Sequence, residues 1–243
     1  MRATTLVLAA LVLLAGSPPA AQADDWKDRL RHSVSGRSGS GLGEAEAGRG
    51  LKEALAQGVH RAVTQLGRQD GFYGDAAVRI LVPKKLRGVA DAARQLGAGR
   101  KVDEFELSMN RAAEKAVPVA ADIFAEAVRQ MTVQDALDIV RGSDDAGTRF
   151  FRRVTEDRLR EKFLPIVAEA TGRAGVTKKY KAMVGGNALV GALGGGQSLD
   201  LDAYVTDAAL DGLFKVVAEQ ERAIRHDPAA RTSDLLRRVF GKR

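Results

Sequence analysis

The chain has 243 residues, 45% of them hydrophobic and 28% charged, a formal net charge of +7 and no cysteine. The missing cysteine excludes a disulfide framework, thiolate ligands to zinc and a thiol nucleophile. It also excludes an acylated N-terminal cysteine. The excess of base is modest and scattered among acids, which fits a solvated surface. A basic patch toward anionic lipid, polysaccharide or nucleic acid is the second reading. Aromatic residues make up 5% of the chain and do not interleave with the basic ones, so no base-stacking platform for nucleic acid is expected.

Met1-Arg2 gives a positive start, Leu6 to Ala15 is an unbroken apolar run, and Ala21-Gln22-Ala23 follows the breaker Pro18-Pro19. This pattern predicts a secretory signal peptide cleaved after Ala23 and a periplasmic destination. The apolar run is roughly ten residues, short of the ~20 that span a bilayer. Cleavage removes Arg2, the leader's one charged residue, and leaves +6. Residues 24–43 include the Gly/Ser-rich "SGRSGSGLG" and read as a flexible linker, with a single helical domain over 44–243.

Within that domain the apolar spacing is helical. Leu51, Leu55, Val59, Ala62, Val63 and Leu66 recur at steps of three and four and predict a helix over 44–67, stopped by Gly67. Gly71 and Gly74 then mark turns, and Val78–Val82 is a short extended run at most. Pro83 opens the next helix, which ends at Gly97. A third helix carries Val102, Phe105, Met109, Ala112, Ala113 and Ala116, bends or restarts at Pro118, and continues through Ile123, Phe124, Ala127, Val128 and Met131.

Further on, Thr132, Thr155, Thr177, Thr206 and Thr232 each precede a helical run and read as N-caps. The apolar face changes register near Thr155 and Thr206, which predicts helix breaks there. The expected fold class is all-α, a single multi-helix domain of about eight to ten short helices.

Three stretches have the residues for chemistry. Glu106, Asn110 and Glu114 stack at i, i+4, i+8 beside the apolar stripe, with Asp103 near the same line and Arg111 alongside. Such a seam is a solvated flank, a buried polar network, or part of an oxygen-ligand site for a hard cation. One helix face supplies too few ligands, so no metal is expected. "RFFRR" (149–153) places Arg152 and Arg153 beside aromatic anchors, an arrangement suited to gripping a carboxylate or phosphate, or to an internal pair with Glu114. "GGNALVGALGGG" (185–196) lacks the Gly-Lys-Ser/Thr ending and leading strand of a phosphate loop and reads as a mobile loop. The Asp144-Asp145 pair behind Ser143 reads as capping acids. His32, His60 and His226 are dispersed, with neither H-E-x-x-H nor G-x-S-x-G present, and no cofactor motif occurs.

Taken as blocks, "GLKEALAQGVHRAVTQLGRQDGF", "DEFELSMNRAAEKAVP", "GTRFFRRVTEDRLREKFLPIV", "SLDLDAYVTDAALDGLFKVVAEQE" and "DPAARTSDLLRRVFG" resemble the bacterial family called domain of unknown function 4197, in order over residues 48–241. The resemblance implies an exported helical protein, one continuous domain, and "MNRAAE" and "FFRR" as family hallmarks. It brings no catalytic residue with it.

The function expected from these residues is non-enzymatic binding of a small ligand or an envelope protein, through Asn110, Arg111, Glu114, Arg152 and Arg153. The alternatives are a hydrolase with Glu114 as general base and an envelope structural protein contacting anionic membrane surfaces.

Overall fold

The computed structural model of the chain describes residues 44–175, 178–179 and 200–227, all within one compact unit, Leu42–Arg243. The leader, the linker, Thr177, Thr232 and the glycine-rich 185–196 stretch lie outside the described residues.

The described part is all-α. Its helices are α1 (Glu44–Gly67), α2 (Arg87–Ala93), α3 (Gly99–Ala116), α4 (Ala120–Gln130), α5 (Val133–Arg141), α6 (Ala146–Ala174) and α7 (Leu201–His226). Short turns of tighter or wider pitch join α2 to α3 and α3 to α4, so that Lys84 to Gln130 is one continuous run. Gly97, at φ 82°, kinks that run, and Pro118 sits in the 3-10 turn Val117–Val119. The helices thus join into five uninterrupted runs among the described residues, fewer and longer than the eight to ten expected.

The overcount has a physical cause. Thr155 and Thr206 do not cap helices; both are buried inside them. In α6, Phe151, Thr155, Leu159, Phe163, Val167 and Thr171 are all buried and lie four residues apart. That row is one continuous ridge winding slowly round the helix, and the threonine belongs to it. The Thr155 hydroxyl hides by donating to the Phe151 carbonyl one turn back, at 2.7 Å. Thr206 is likewise fully buried within α7, but its hydroxyl has no hydrogen-bond partner. Thr132 does cap α5, in a reciprocal capping box with Asp135.

Helix α6 packs along α7 and α3, and α1 packs against α7, α5 and α4. Phe124 of α4 stands edge-on to Phe151 of α6 (5.1 Å between centroids) and to Phe214 of α7 (5.9 Å). These three rings join the bundle at its centre.

Between α1 and α2 runs a non-helical strap, residues 68–83. Phe72 anchors it with no exposed surface. Val78, Ile80 and Val82 are buried and Leu81 is exposed, so this short run has the two-residue alternation of a strand with no partner strand. The strap lies so close to α7 that a Cβ on Gly212 would stand 2.7 Å from the Phe72 ring and 3.3 Å from Val78. A mid-helix alanine normally gains about 1 kcal/mol over glycine. Here the overlap should cost about 1–3 kcal/mol, so Gly212→Ala is expected to lower the melting temperature. A variant that melts higher would show that the strap is not seated as described.

Candidate functional site

An isolated extended strap has backbone donors and acceptors that no sheet satisfies. The seam on α3 supplies them. Asn110 Oδ1 accepts from the Ile80 N–H at 2.8 Å, and its Nδ2 donates to the Ile80 carbonyl at 2.8 Å. The side-chain amide thus stands in for the missing neighbouring peptide. Glu106 Oε1 accepts from the Val82 N–H at 3.2 Å. Glu114 Oε1 accepts from the N–H groups of Phe72 and Tyr73 at 3.1 and 3.3 Å.

The spacing explains why these residues suit the task. Four helical residues advance about 6 Å, and two extended residues about 6.6 Å. The step of four from Glu106 to Asn110 therefore keeps pace with the step of two from Val82 back to Ile80, whereas the next step, to Glu114, meets Phe72 and Tyr73 on the far side of a turn. Asn110 is completely buried and Glu114 nearly so. The "MNRAAE" group is a buried polar network that holds a segment of chain, not a solvated flank.

Arg111 completes this network at the rim. It bonds Glu114 Oε2 at 2.6 Å and Asp70 Oδ1 at 2.7 Å. Burial works against its charge, yet the hydrogen bonds to Glu114 and Asp70 and their negative charge hold its pKa above the ordinary guanidinium value. Asp103, the fourth member of the sequence seam, faces Arg94 at 3.9 Å. These oxygens face N–H groups and guanidinium groups, and no cluster of three or more acids and histidines placed for a metal occurs among the described residues.

The two arginines of "FFRR" go elsewhere. Arg152 lies over the Phe214 ring at 4.6 Å and bonds Glu156 (2.9 Å) and Asp211 (3.1 Å). The pair with Glu114 allowed by the sequence does not form, because Arg111 holds that carboxylate. Arg153 is exposed, sits over Phe150 at 5.4 Å, and lines a separate hollow of about 270 Å³ with Glu126, Asp135 and Arg158. The five expected site residues therefore sit in three different settings, with no hydrogen bond or ion pair joining Asn110, Arg111 and Glu114 to Arg152 or Arg153.

A second buried network was not expected from the sequence. Glu221 on α7 accepts from the N–H of Gly147 (2.9 Å), the N–H of Thr148 (2.8 Å) and the Thr148 hydroxyl (2.8 Å). The start of α6 is thus capped by a carboxylate from another helix, where the dipole favours negative charge. The expected capping acids lie just outside it. Asp145 precedes α6 without capping it, and Asp144 pairs with His226 Nε2 at 2.8 Å. Arg225 neutralises Glu221 at 2.8 Å and donates to the Ile139 carbonyl at 2.8 Å. Gly147 permits this approach, since a Cβ there would meet Leu55 at 2.5 Å. A signal was present in the sequence: Val205, Ala209, Leu213, Val217, Glu221 and Arg225 fall on one four-residue row, and its last two members are charged.

What stays open is a groove of about 430 Å³ between the outward edge of the strap and α7. Arg79, Leu81 and Arg87 line one wall, and Tyr204, Ala208 and Lys215 the other. Two side chains from α7 secure the strap here. The Tyr204 hydroxyl donates to the Leu81 carbonyl at 3.0 Å, and Lys215 Nζ to the Ala77 carbonyl at 2.8 Å. Burial pushes the Tyr204 phenol above its ordinary pKa, which further favours the protonated donor form.

A family model described as a protein of unknown function, DUF4197, matches residues 41–241. No curated protein and no solved structure matches the chain.

Proposed function

The chain belongs to the DUF4197 family, and from this fold we propose that it is an exported, non-enzymatic binding domain whose site is the groove between the strap and α7. One observation supports the reading above others: the strap is held on its inner edge by a dedicated row of side chains, and its outer edge forms the wall of an open groove. A segment fixed at that many points is a preorganised surface, which lowers the entropy lost on binding. Export rests on the leader pattern of residues 1–23.

The hydrolase reading finds little support in the geometry. Glu114 is 4% exposed, and its two oxygens already accept from Phe72, Tyr73 and Arg111. A general base must reach a substrate proton, and this carboxylate faces its own backbone. No helix among the described residues is long and apolar enough to cross a membrane.

Native mass spectrometry on protein drawn gently from a periplasmic extract tests the proposal. The expected spectrum carries a reproducible extra mass, lost when Ala208→Phe fills the groove. A bare chain mass for the unaltered protein would defeat the small-ligand reading.

A further inference from the structure

Both open hollows contain charge of each sign, and their balance differs. In the hollow beside Arg153, two acids (Glu126, Asp135) face two arginines (Arg153, Arg158), and Arg158 is already paired with Glu126 at 2.6 Å. The strap groove is lined by three cations, Arg79, Arg87 and Lys215, and two acids, Asp207 and Asp211. Both of those acids are engaged from behind by α6, Asp207 by Arg160 and Asp211 by Arg152. With the charge of Asp207 and Asp211 offset by these arginines, the groove's own cations are in excess.

The cations are also arranged for use. Arg79 is stacked on the Tyr73 ring with 3.8 Å between its guanidinium carbon and the ring centroid, which fixes the plane of its donors. No carboxylate among the described residues pairs with Arg79 or Arg87. Lys215 gives one proton to Ala77 and retains two. Leu81, 48% exposed, adds an apolar surface beside them that the fold leaves uncovered.

We propose that this groove binds an oxyanion, a phosphate or carboxylate, carried on a short apolar body, with the anion held by Arg79, Arg87 and Lys215 and the body lying against Leu81 and Ala208. The inference rests on the groove being the binding site. It adds the chemistry of the ligand, since forked and multiple N–H donors match the oxygens of these anions.

Titration of the mature protein with octyl phosphate, octanoate and the neutral octyl glucoside tests it, followed by amide NMR shifts. Octyl phosphate or octanoate should shift the amides of residues 77–81 and 204–215. The apparent Kd should rise at least tenfold in Arg87→Gln/Lys215→Gln, and Arg87→Gln alone, at an exposed position that does not hold the strap, should weaken binding with the melting temperature unchanged. The preferred compound of the two acids names the head group. Equal binding of octyl glucoside would overturn the oxyanion inference while leaving the groove as a site. No shift in the groove with any of the three would overturn both. Binding to phosphatidylglycerol vesicles with no response to the soluble amphiphiles would likewise overturn it, in favour of a membrane-facing surface.

Discussion

Glu221→Ala is expected to be the most damaging single substitution in the domain, costing about 3–5 kcal/mol and lowering the melting temperature by roughly 10 °C. Three losses coincide. The N–H groups of Gly147 and Thr148 lose their acceptor at the buried start of α6. The Thr148 hydroxyl loses its partner. Arg225, with its side chain 2% exposed, loses the buried carboxylate of Glu221. The last term dominates, because removing one member of a buried pair costs more than the pair contributes. The added change Arg225→Met should therefore return part of the loss, leaving the uncapped helix start and an Ile139 carbonyl without its side-chain donor. Urea unfolding of the two single variants and the double variant checks this. A cost below about 1 kcal/mol for Glu221→Ala would mean that water replaces the carboxylate and that the cap is not buried.

The second large effect is expected at Asn110. Its replacement by alanine removes three hydrogen bonds and strands the N–H and carbonyl of Ile80, a residue 2% exposed. Each stranded group costs about 1–3 kcal/mol, so a loss of about 3 kcal/mol is expected, accompanied by faster amide exchange at Ile80 and Val82. Asn110→Asp is the sharper variant. It is nearly isosteric and keeps the acceptor for the Ile80 N–H. It also replaces the donor Nδ2 with an oxygen facing the carbonyls of Ile80 and Glu106, both 2.8 Å from that nitrogen. It should destabilise at least as much as alanine at neutral pH. If Ile80 stayed protected in either variant, the amide would not be what holds the strap.

The two experiments bear on function differently. Loss of the Glu221 cap acts on the bundle as a whole, through α6. Loss of Asn110 acts on the strap, which carries Arg79 and Leu81 to the groove. An Asn110 variant that remains folded should therefore bind groove ligands less well, and mild Glu221 variants should not.

Much of the fold was legible in the residue order. The apolar rows of α1 and α3 are buried at every position named from the sequence, Gly67 marks the expected stop and Pro118 a change of pitch, while Gly97 is a kink in a continuing run where a helix end is expected. The helix count differs at Thr155 and Thr206 because a threonine beside a shift of apolar register reads as a polar boundary. A β-branched hydroxyl residue fits a buried ridge when it bonds a carbonyl of its own helix, as Thr155 does.

The candidate site was legible only as a set of unusual residues. Glu106, Asn110 and Glu114 announced themselves by their spacing beside an apolar stripe. That spacing follows from the helix alone, since 3.6 residues per turn places every fourth residue on one face. What such a row faces is decided by packing between segments distant in sequence. Asn110 meets Ile80 thirty residues away, and Glu221 meets Gly147 across seventy-four. Neither approach leaves a mark on local periodicity. The sequence by itself determined the helices, their apolar faces and the polar rows upon them. Only the tertiary structure decided that two of those rows face backbone and that the open cations lie across the strap, because hydrogen bonds and ion pairs are set by which surfaces meet.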